Sequence, residues 1–177
     1  SLLHRYVTNE WEENGQTTLG AAFMDKTIVY EGFSFRFQIW DTAGQEKYAP
    51  LAQMYYKDAN VAILVFDITN RESLNGLKEW QRELADKGPK EISLAIVANK
   101  CDLETYNQVV TYEGEQYAEE CKAIYAKTSA KENIGVQELF NSICAVLAKK
   151  INVKSQETQN NTTKLATADK KAGGGCC

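Results

Sequence analysis

Long apolar runs are missing from this 177-residue chain. No stretch approaches the roughly 18 consecutive apolar residues of a membrane span, and the first residues lack the basic-then-apolar plan of a secretory signal, so a cytosolic protein is expected. Excess positive charge is missing too. A formal net charge of -4, with no Lys/Arg run interleaved with aromatics, gives nucleic acid nothing to bind, and it is excluded as a partner. Histidine is nearly absent: His4 stands alone, with no carboxylate or nucleophile beside it, and reads as an exposed helix residue rather than a general base. The five cysteines lack the spacing of a disulfide framework or a zinc site, so Cys101, Cys121 and Cys144 read as small buried residues in a reducing compartment. An initiator methionine is missing as well, and the chain starting at Ser1 reads as a fragment or a processed product.

What is present is enough for one domain. A hydrophobic content of 44% over 177 residues fills one ordinary core and is short for two; a monomer is expected. Leu2, Leu3, Tyr6 and Val7 recur at helical spacing, with Arg5 and Glu10 outward. Residues 12–20 read as a polar loop carrying Thr17 and Thr18. Lys26–Tyr30 and Ser34–Trp40 alternate, with Phe35, Phe37 and Ile39 on one face, and are joined across Glu31-Gly32 as a hairpin. After a helical turn around Leu51, Met54 and Tyr55, Val61–Phe66 has the composition of a strand buried on both faces. Thr69-x-x-Glu72 has the form of a capping box for a helix that Gly88-Pro89 stops. A second buried run, Ile92–Ala98, then leads to a helix over Thr111–Cys121, a strand Ala123–Ala126 and a last helix Val136–Ile151. Buried runs alternating with helices predict an α/β fold with a mostly parallel, doubly wound sheet. From Asn152 periodicity disappears, which divides the chain into a domain over 1–151 and a flexible tail over 152–177 with a charge of +2.

The polar groups collect at the carboxyl ends of these runs, where open α/β sheets bind ligands. Trp40-Asp41-Thr42-Ala43-Gly44-Gln45-Glu46 places a carboxylate, a glycine amide and a carboxamide at a strand's end. Asp41 can hold a metal through water, Gly44 leaves its N–H free to approach a phosphate oxygen, and Gln45 can orient an attacking water. An ordinary strand exit has the same composition. Asn99-Lys100-x-Asp102 puts a carboxylate and a carboxamide on one loop. A carboxylate accepting from adjacent N–H groups selects guanine, because adenine lacks the ring N–H and exocyclic amine presented together, and the lysine stem can lie along base and sugar. Ser129-Ala130-Lys131 adds a backbone N–H suited to the guanine carbonyl oxygen.

With Thr18-Leu19-Gly20, these signatures stand in the order found in the small GTPases of the Rab family, which the chain resembles from Ser1 to its terminal cysteines. Gly20-Ala21-Ala22-Phe23-Met24, Met54-Tyr55-Tyr56 and the Gly88-Pro89 segment look most like the early-endosomal branch. The resemblance implies a small-GTPase fold and a switch that binds GTP or GDP with Mg²⁺ and hydrolyses GTP during vesicle traffic. Thr18 would reach magnesium and the terminal phosphate, and Asp41 would be the carboxylate that holds the metal through water. Gly44 would sense the γ-phosphate and Gln45 would orient water, while Asn99, Lys100, Asp102, Ser129, Ala130 and Lys131 would hold the guanine. Phe23, Trp40 and Tyr55 would be the aromatic trio shown to effectors, with plain core packing as the other reading. Cys176-Cys177 resembles a double-cysteine prenylation end, a sensible two-chain anchor for the cytoplasmic side of endosomal membranes. The partners implied are an exchange factor, a GTPase-activating protein, effectors and the prenylation machinery.

The family pattern begins with a strand and a Gly-x-x-x-x-Gly-Lys-Ser/Thr phosphate loop before the first helix, and Ser1 most resembles the residue just after that loop. Without the strand, which lies mid-sheet in this fold, the hairpin and the later strands would face each other with exposed edges. A chain so built is expected to fold poorly and bind no nucleotide by itself. Other readings keep parts of the pattern. A nucleotide-free membrane adaptor would retain Phe23, Trp40, Tyr55 and the cysteines but have no use for Gln45 or Asp102. An adenine-using phosphotransferase would share the sheet but not Asn99-Lys100-x-Asp102.

Overall fold

The computed structural model describes residues 1–13, 21–42 and 49–169. Helix α1 (Leu2–Thr8) is capped by Ser1, whose hydroxyl oxygen accepts from the His4 N–H at 3.2 Å. Its inward face is Leu3 and Tyr6, both buried, as the spacing predicts. Strands β1 (Ala21–Tyr30) and β2 (Phe33–Thr42) form an antiparallel hairpin. Its turn residues Glu31 and Gly32 both have positive φ, 47° and 81°, the pair that a type I′ connection needs. Both strands run longer than the alternation of Lys26–Tyr30 and Ser34–Trp40 suggests, and along β2 the half-buried Phe35, Phe37 and Ile39 alternate with exposed residues.

After α2 (Ala49–Tyr56) come β3 (Val61–Asp67), α3 (Arg71–Lys87), β4 (Ser93–Asn99), a 3-10 segment Cys101–Tyr106, α4 (Thr111–Glu120), β5 (Ile124–Lys127) and α5 (Val136–Asp169). The sheet β3-β4-β5 is parallel, and the hairpin is a separate two-stranded sheet. Alternation along β4 divides the core. Ile96 and Ala98 pack with Leu74 and Leu77 of α3 and Ala118 of α4; Ala95 and Val97 pack with Tyr6 of α1 and Val136, Leu139, Phe140 and Ile143 of α5. Helices thus cover both faces, the doubly wound arrangement expected. Phe37 joins the second cluster, edge-on to Phe140 at 5.9 Å between ring centres.

Local readings are corrected at several points. The cap of α3 is Asn70, whose side chain accepts from the Glu72 N–H at 3.0 Å, not Thr69. Thr69 spends its hydroxyl and its amide on Asp67 Oδ1, at 2.7 and 2.8 Å. Strand β3 packs on both faces, Leu64 and Phe66 with the first cluster and Val61 and Ile63 with the second, but Val65 near its end is 43% exposed. Of Cys101, Cys121 and Cys144 only Cys144 is fully buried. The last helix continues beyond Ile151 to Asp169. Residues 152–169 contain neither Pro nor Gly, so the loss of an apolar stripe removes a packing face without interrupting the helical backbone. Among the described residues no helix is long and apolar enough to cross a membrane.

One glycine fixes how β5 returns to α5. Gly135 has φ +67°, and a Cβ there would lie against the Lys127 carbonyl oxygen. Gly135→Ala should therefore cost about 2–4 kcal/mol, combining left-handed strain with a backbone clash, seen as a lowered urea midpoint. A midpoint within error of wild type would show that the turn relaxes.

Candidate functional site at the carboxyl end of the parallel sheet

In the parallel register Asp67 of β3 lies opposite Asn99 of β4, and Ala98 lies opposite Lys127 of β5. Three chain segments therefore leave the sheet at one level. Thr128 closes the connection by backbone bonds, its N–H donating to Ala98 O at 2.9 Å and its carbonyl accepting from the Cys101 N–H at 3.0 Å. Asn99 Oδ1 then accepts the Thr128 hydroxyl at 3.0 Å and the Ala130 N–H at 3.2 Å. One carboxamide oxygen thereby ties the Asn99–Asp102 loop to the Thr128–Lys131 loop.

Lys100 adopts the left-handed conformation, φ 64°, and its ammonium donates to Asp67 Oδ2 at 2.6 Å. Burial alone would push the Asp67 carboxyl up, but hydrogen bonds from Lys100 and Thr69 outweigh it and hold the group below the usual carboxylate value. Asp102, half-buried in the 3-10 segment, has its Oδ1 fully buried with no hydrogen-bond partner among the described residues. The neighbouring Cys101 thiol is pushed up by burial and by the Asp102 charge, so it has no thiolate character to offer.

On the third segment Ser129 is buried, its backbone bridges Ile134, and its hydroxyl accepts from the Glu132 N–H at 3.0 Å. Ala130 is buried and Lys131 exposed. Arg5, which helical spacing places outward, instead reaches this loop. Its Nε donates to Ala130 O at 2.7 Å and its Nη2 to Lys131 O at 2.8 Å. Sequence reasoning also passed over Asp67 and Thr128. A signal existed for Asp67, a carboxylate ending a strand parallel to the one that ends in Asn99; none existed for Arg5, whose partners lie 125 residues away.

The structure therefore brings together Asn99, Lys100, Asp102, Ser129, Ala130 and Lys131. Asp41, half-buried at the end of β2, belongs to the other sheet. Phe23, Trp40 and Tyr55 form a continuous ring cluster, with centroids 4.8 Å apart for Phe23–Trp40 and 4.7 Å for Trp40–Tyr55. Phe23 and Trp40 are each 46% exposed, so the cluster is not buried core. Thr18, Gly44, Gln45, Cys176 and Cys177 lie outside the described residues. Among the described residues no group of three His, Cys, Asp or Glu side chains is placed to hold a metal.

The Ras family model matches residues 1–149. The chain is 44% identical to the mouse Ras-related protein Rab-22A over 143 residues, covering 81% of this chain and 74% of that protein. It is 39% identical to human Ras-related protein Rab-31 over 178 residues, covering 100% of this chain and 90% of that protein. Human Ras-related protein Rab-21 is 39% identical over 189 residues, covering 100% of this chain and 84% of that protein. The matched length and these identities establish that the chain belongs to the Ras family, as a Rab-type small GTPase.

Proposed function

We propose that this chain, joined to the phosphate loop of its family, is a GTP-dependent switch on endosomal membranes, with its guanine held between the Asn99–Asp102 and Thr128–Lys131 loops. The observation that carries the reading is Asp102 Oδ1, a buried carboxylate oxygen without a partner among the described residues. Such an atom is costly unless a donor meets it. Guanine presents a ring N–H and an exocyclic amine side by side, so one carboxylate accepts both; adenine presents a bare ring nitrogen there, which would repel it. The Lys100 stem, its ammonium held by Asp67, supports the base, and Asn99 Oδ1, by accepting the Ala130 N–H, fixes the Thr128–Lys131 loop beside it.

The phosphate chemistry rests on Thr18, Asp41, Gly44 and Gln45. A threonine hydroxyl, a carboxylate and phosphate oxygens are hard donors that suit magnesium, and Thr18 and Asp41 would hold the ion, which neutralises phosphate charge when bound. Gln45 orients a water for attack on the γ-phosphorus; the bond to the leaving GDP oxygen breaks, giving GDP and inorganic phosphate. With no arginine assigned to the transition-state charge, a GTPase-activating protein supplies one, an effect of about 10³–10⁵ in rate. The Gly44 amide meets the γ-phosphate, so its loss frees that segment and the Thr18 segment. The exposed Phe23–Trp40–Tyr55 cluster gives effectors a surface that changes with the nucleotide. An exchange factor restores GTP, and lipids on Cys176 and Cys177, added by the prenylation machinery, hold the protein to the membrane. An adaptor that binds no nucleotide leaves the buried Asp102 oxygen without a purpose.

Fluorescent GDP binding by the full-length protein should resist excess ATP, and Asp102→Ala should weaken it about 10²-fold or more, the loss of two hydrogen bonds to a charged acceptor. Displacement by ATP, or an unchanged affinity in the variant, overturns the guanine assignment. Gln45→Leu should retain GTP but lower stimulated single-turnover hydrolysis about 10²-fold; unchanged turnover removes Gln45 from the mechanism. Because the Asp67 carboxyl is depressed in the folded protein, its contribution is present at neutral pH and is lost as pH falls through that lowered value, below the ordinary aspartate value of about 3.9. Wild type should therefore exceed Asp67→Asn in urea midpoint at pH 7 and converge with it in acid. A pH-independent gap would mean the pair is not the cause.

A further inference from the structure

We propose that Arg5 is the positioning residue of the guanine-recognition loop; this rests on the guanine reading above and extends it to a residue outside the four signatures. The guanidinium spans two successive carbonyls, with Nε on Ala130 O at 2.7 Å and Nη2 on Lys131 O at 2.8 Å. Its remaining arm, Nη1, donates to Asn9 O at 2.7 Å, so the planar fork is fixed at both ends. A trans peptide unit carries its C=O and its N–H on opposite sides. With the Ala130 carbonyl turned toward α1, the Lys131 N–H in the same unit points away from α1.

The neighbouring amides are committed elsewhere: the Ala130 N–H to Asn99 Oδ1 and the Glu132 N–H to Ser129 Oγ. Arg5 thus fixes the orientation of the Lys131 amide, the loop N–H oriented to donate to the guanine carbonyl oxygen. Lysine at position 5 has one compact ammonium and cannot hold both carbonyls in the same plane. The role is separable from holding α1 in place. That helix is anchored by buried Leu3 and Tyr6, with Tyr6 stacked on Phe140 at 3.4 Å between ring centres, and by Asn133 Nδ2 donating to Asn9 Oδ1 at 2.9 Å.

The test compares GDP with 6-thio-GDP on the full-length protein, as wild type, Arg5→Gln and Arg5→Lys. Sulfur at position 6 is a weak acceptor and leaves intact the ring N–H and amine that face Asp102. Arg5→Gln should weaken GDP about tenfold, one lost hydrogen bond's worth, and weaken the thio analogue about two- to threefold at most, narrowing the preference for oxygen. Arg5→Lys should fall between and supplies the measurement if the glutamine variant does not fold. Equal losses for both ligands, or none in either variant, would make Arg5 a structural residue only and overturn the role. If wild type binds no GDP, the guanine reading fails and this role fails with it.

Discussion

A single side-chain oxygen, Asn99 Oδ1, connects the ends of two parallel strands. By accepting the Thr128 hydroxyl and the Ala130 amide, it converts two independent strand exits into one surface. The bond is reachable only because parallel pairing sets Asn99 level with Asp67 and Ala98 level with Lys127, so that consecutive strands release their loops at the same height. Had the strands paired one residue out of step, the side chains would have exchanged faces, and Ile96 and Ala98 could not have met α3 and α4 while Ala95 and Val97 met α1 and α5. The core and the site are thus specified by the same register.

Around that joint the protein distributes its polar groups unevenly. Asp67 is satisfied from both sides, by Thr69 on one oxygen and Lys100 on the other, whereas Asp102 keeps one buried oxygen without a partner among the described residues. Two carboxylates on neighbouring segments therefore have opposite fates. The one whose hydrogen bonds close on the protein orders a lysine; the other has an acceptor to spare. Burial of an unpaired carboxylate oxygen is tolerated only where the rest of the structure fixes its position, and the Cys101–Thr128 backbone bond provides that support directly beside Asp102.

The sequence made legible whatever depended on local pattern. Alternation identified the hairpin and its Glu31-Gly32 turn, apolar runs identified β3 and β4, and the Asn99-Lys100-x-Asp102 and Ser129-Ala130-Lys131 segments were expected together and are found together. Features depending on distant partners were not legible. Arg5 occupies the outward stripe of a short helix, a position that solvent or a partner can fill equally well, and only the tertiary fold brings Ala130 and Lys131 to it. Thr69 looked like the cap of α3 because it fits the Thr-x-x-Glu form, but Asp67 competes for its hydroxyl and Asn70 takes over one residue later. The end of α5 differs for another reason: an apolar stripe reports packing, and the helical backbone continues to Asp169 where the stripe in the sequence has ended.

The two sheets share no strand pairing among the described residues, so what joins them is side-chain packing. Phe37 of the hairpin meets Phe140 of α5, which stacks on Tyr6 of α1, and Lys26 of β1 lies over the Tyr6 ring while donating to its carbonyl oxygen. Helix α1 is therefore shared, carrying Tyr6 toward the hairpin and Arg5 toward the Ala130–Lys131 loop from adjacent positions. A hairpin that presents Trp40 and Phe23 at its surface is thus mechanically adjacent to the helix that orients the Ala130–Lys131 carbonyls. Any displacement of the hairpin must therefore be absorbed at Tyr6 or passed along α1 to Arg5. Stacking at 3.4 Å between ring centres leaves little slack for absorption, because close-packed interiors pass strain on rather than dissipate it.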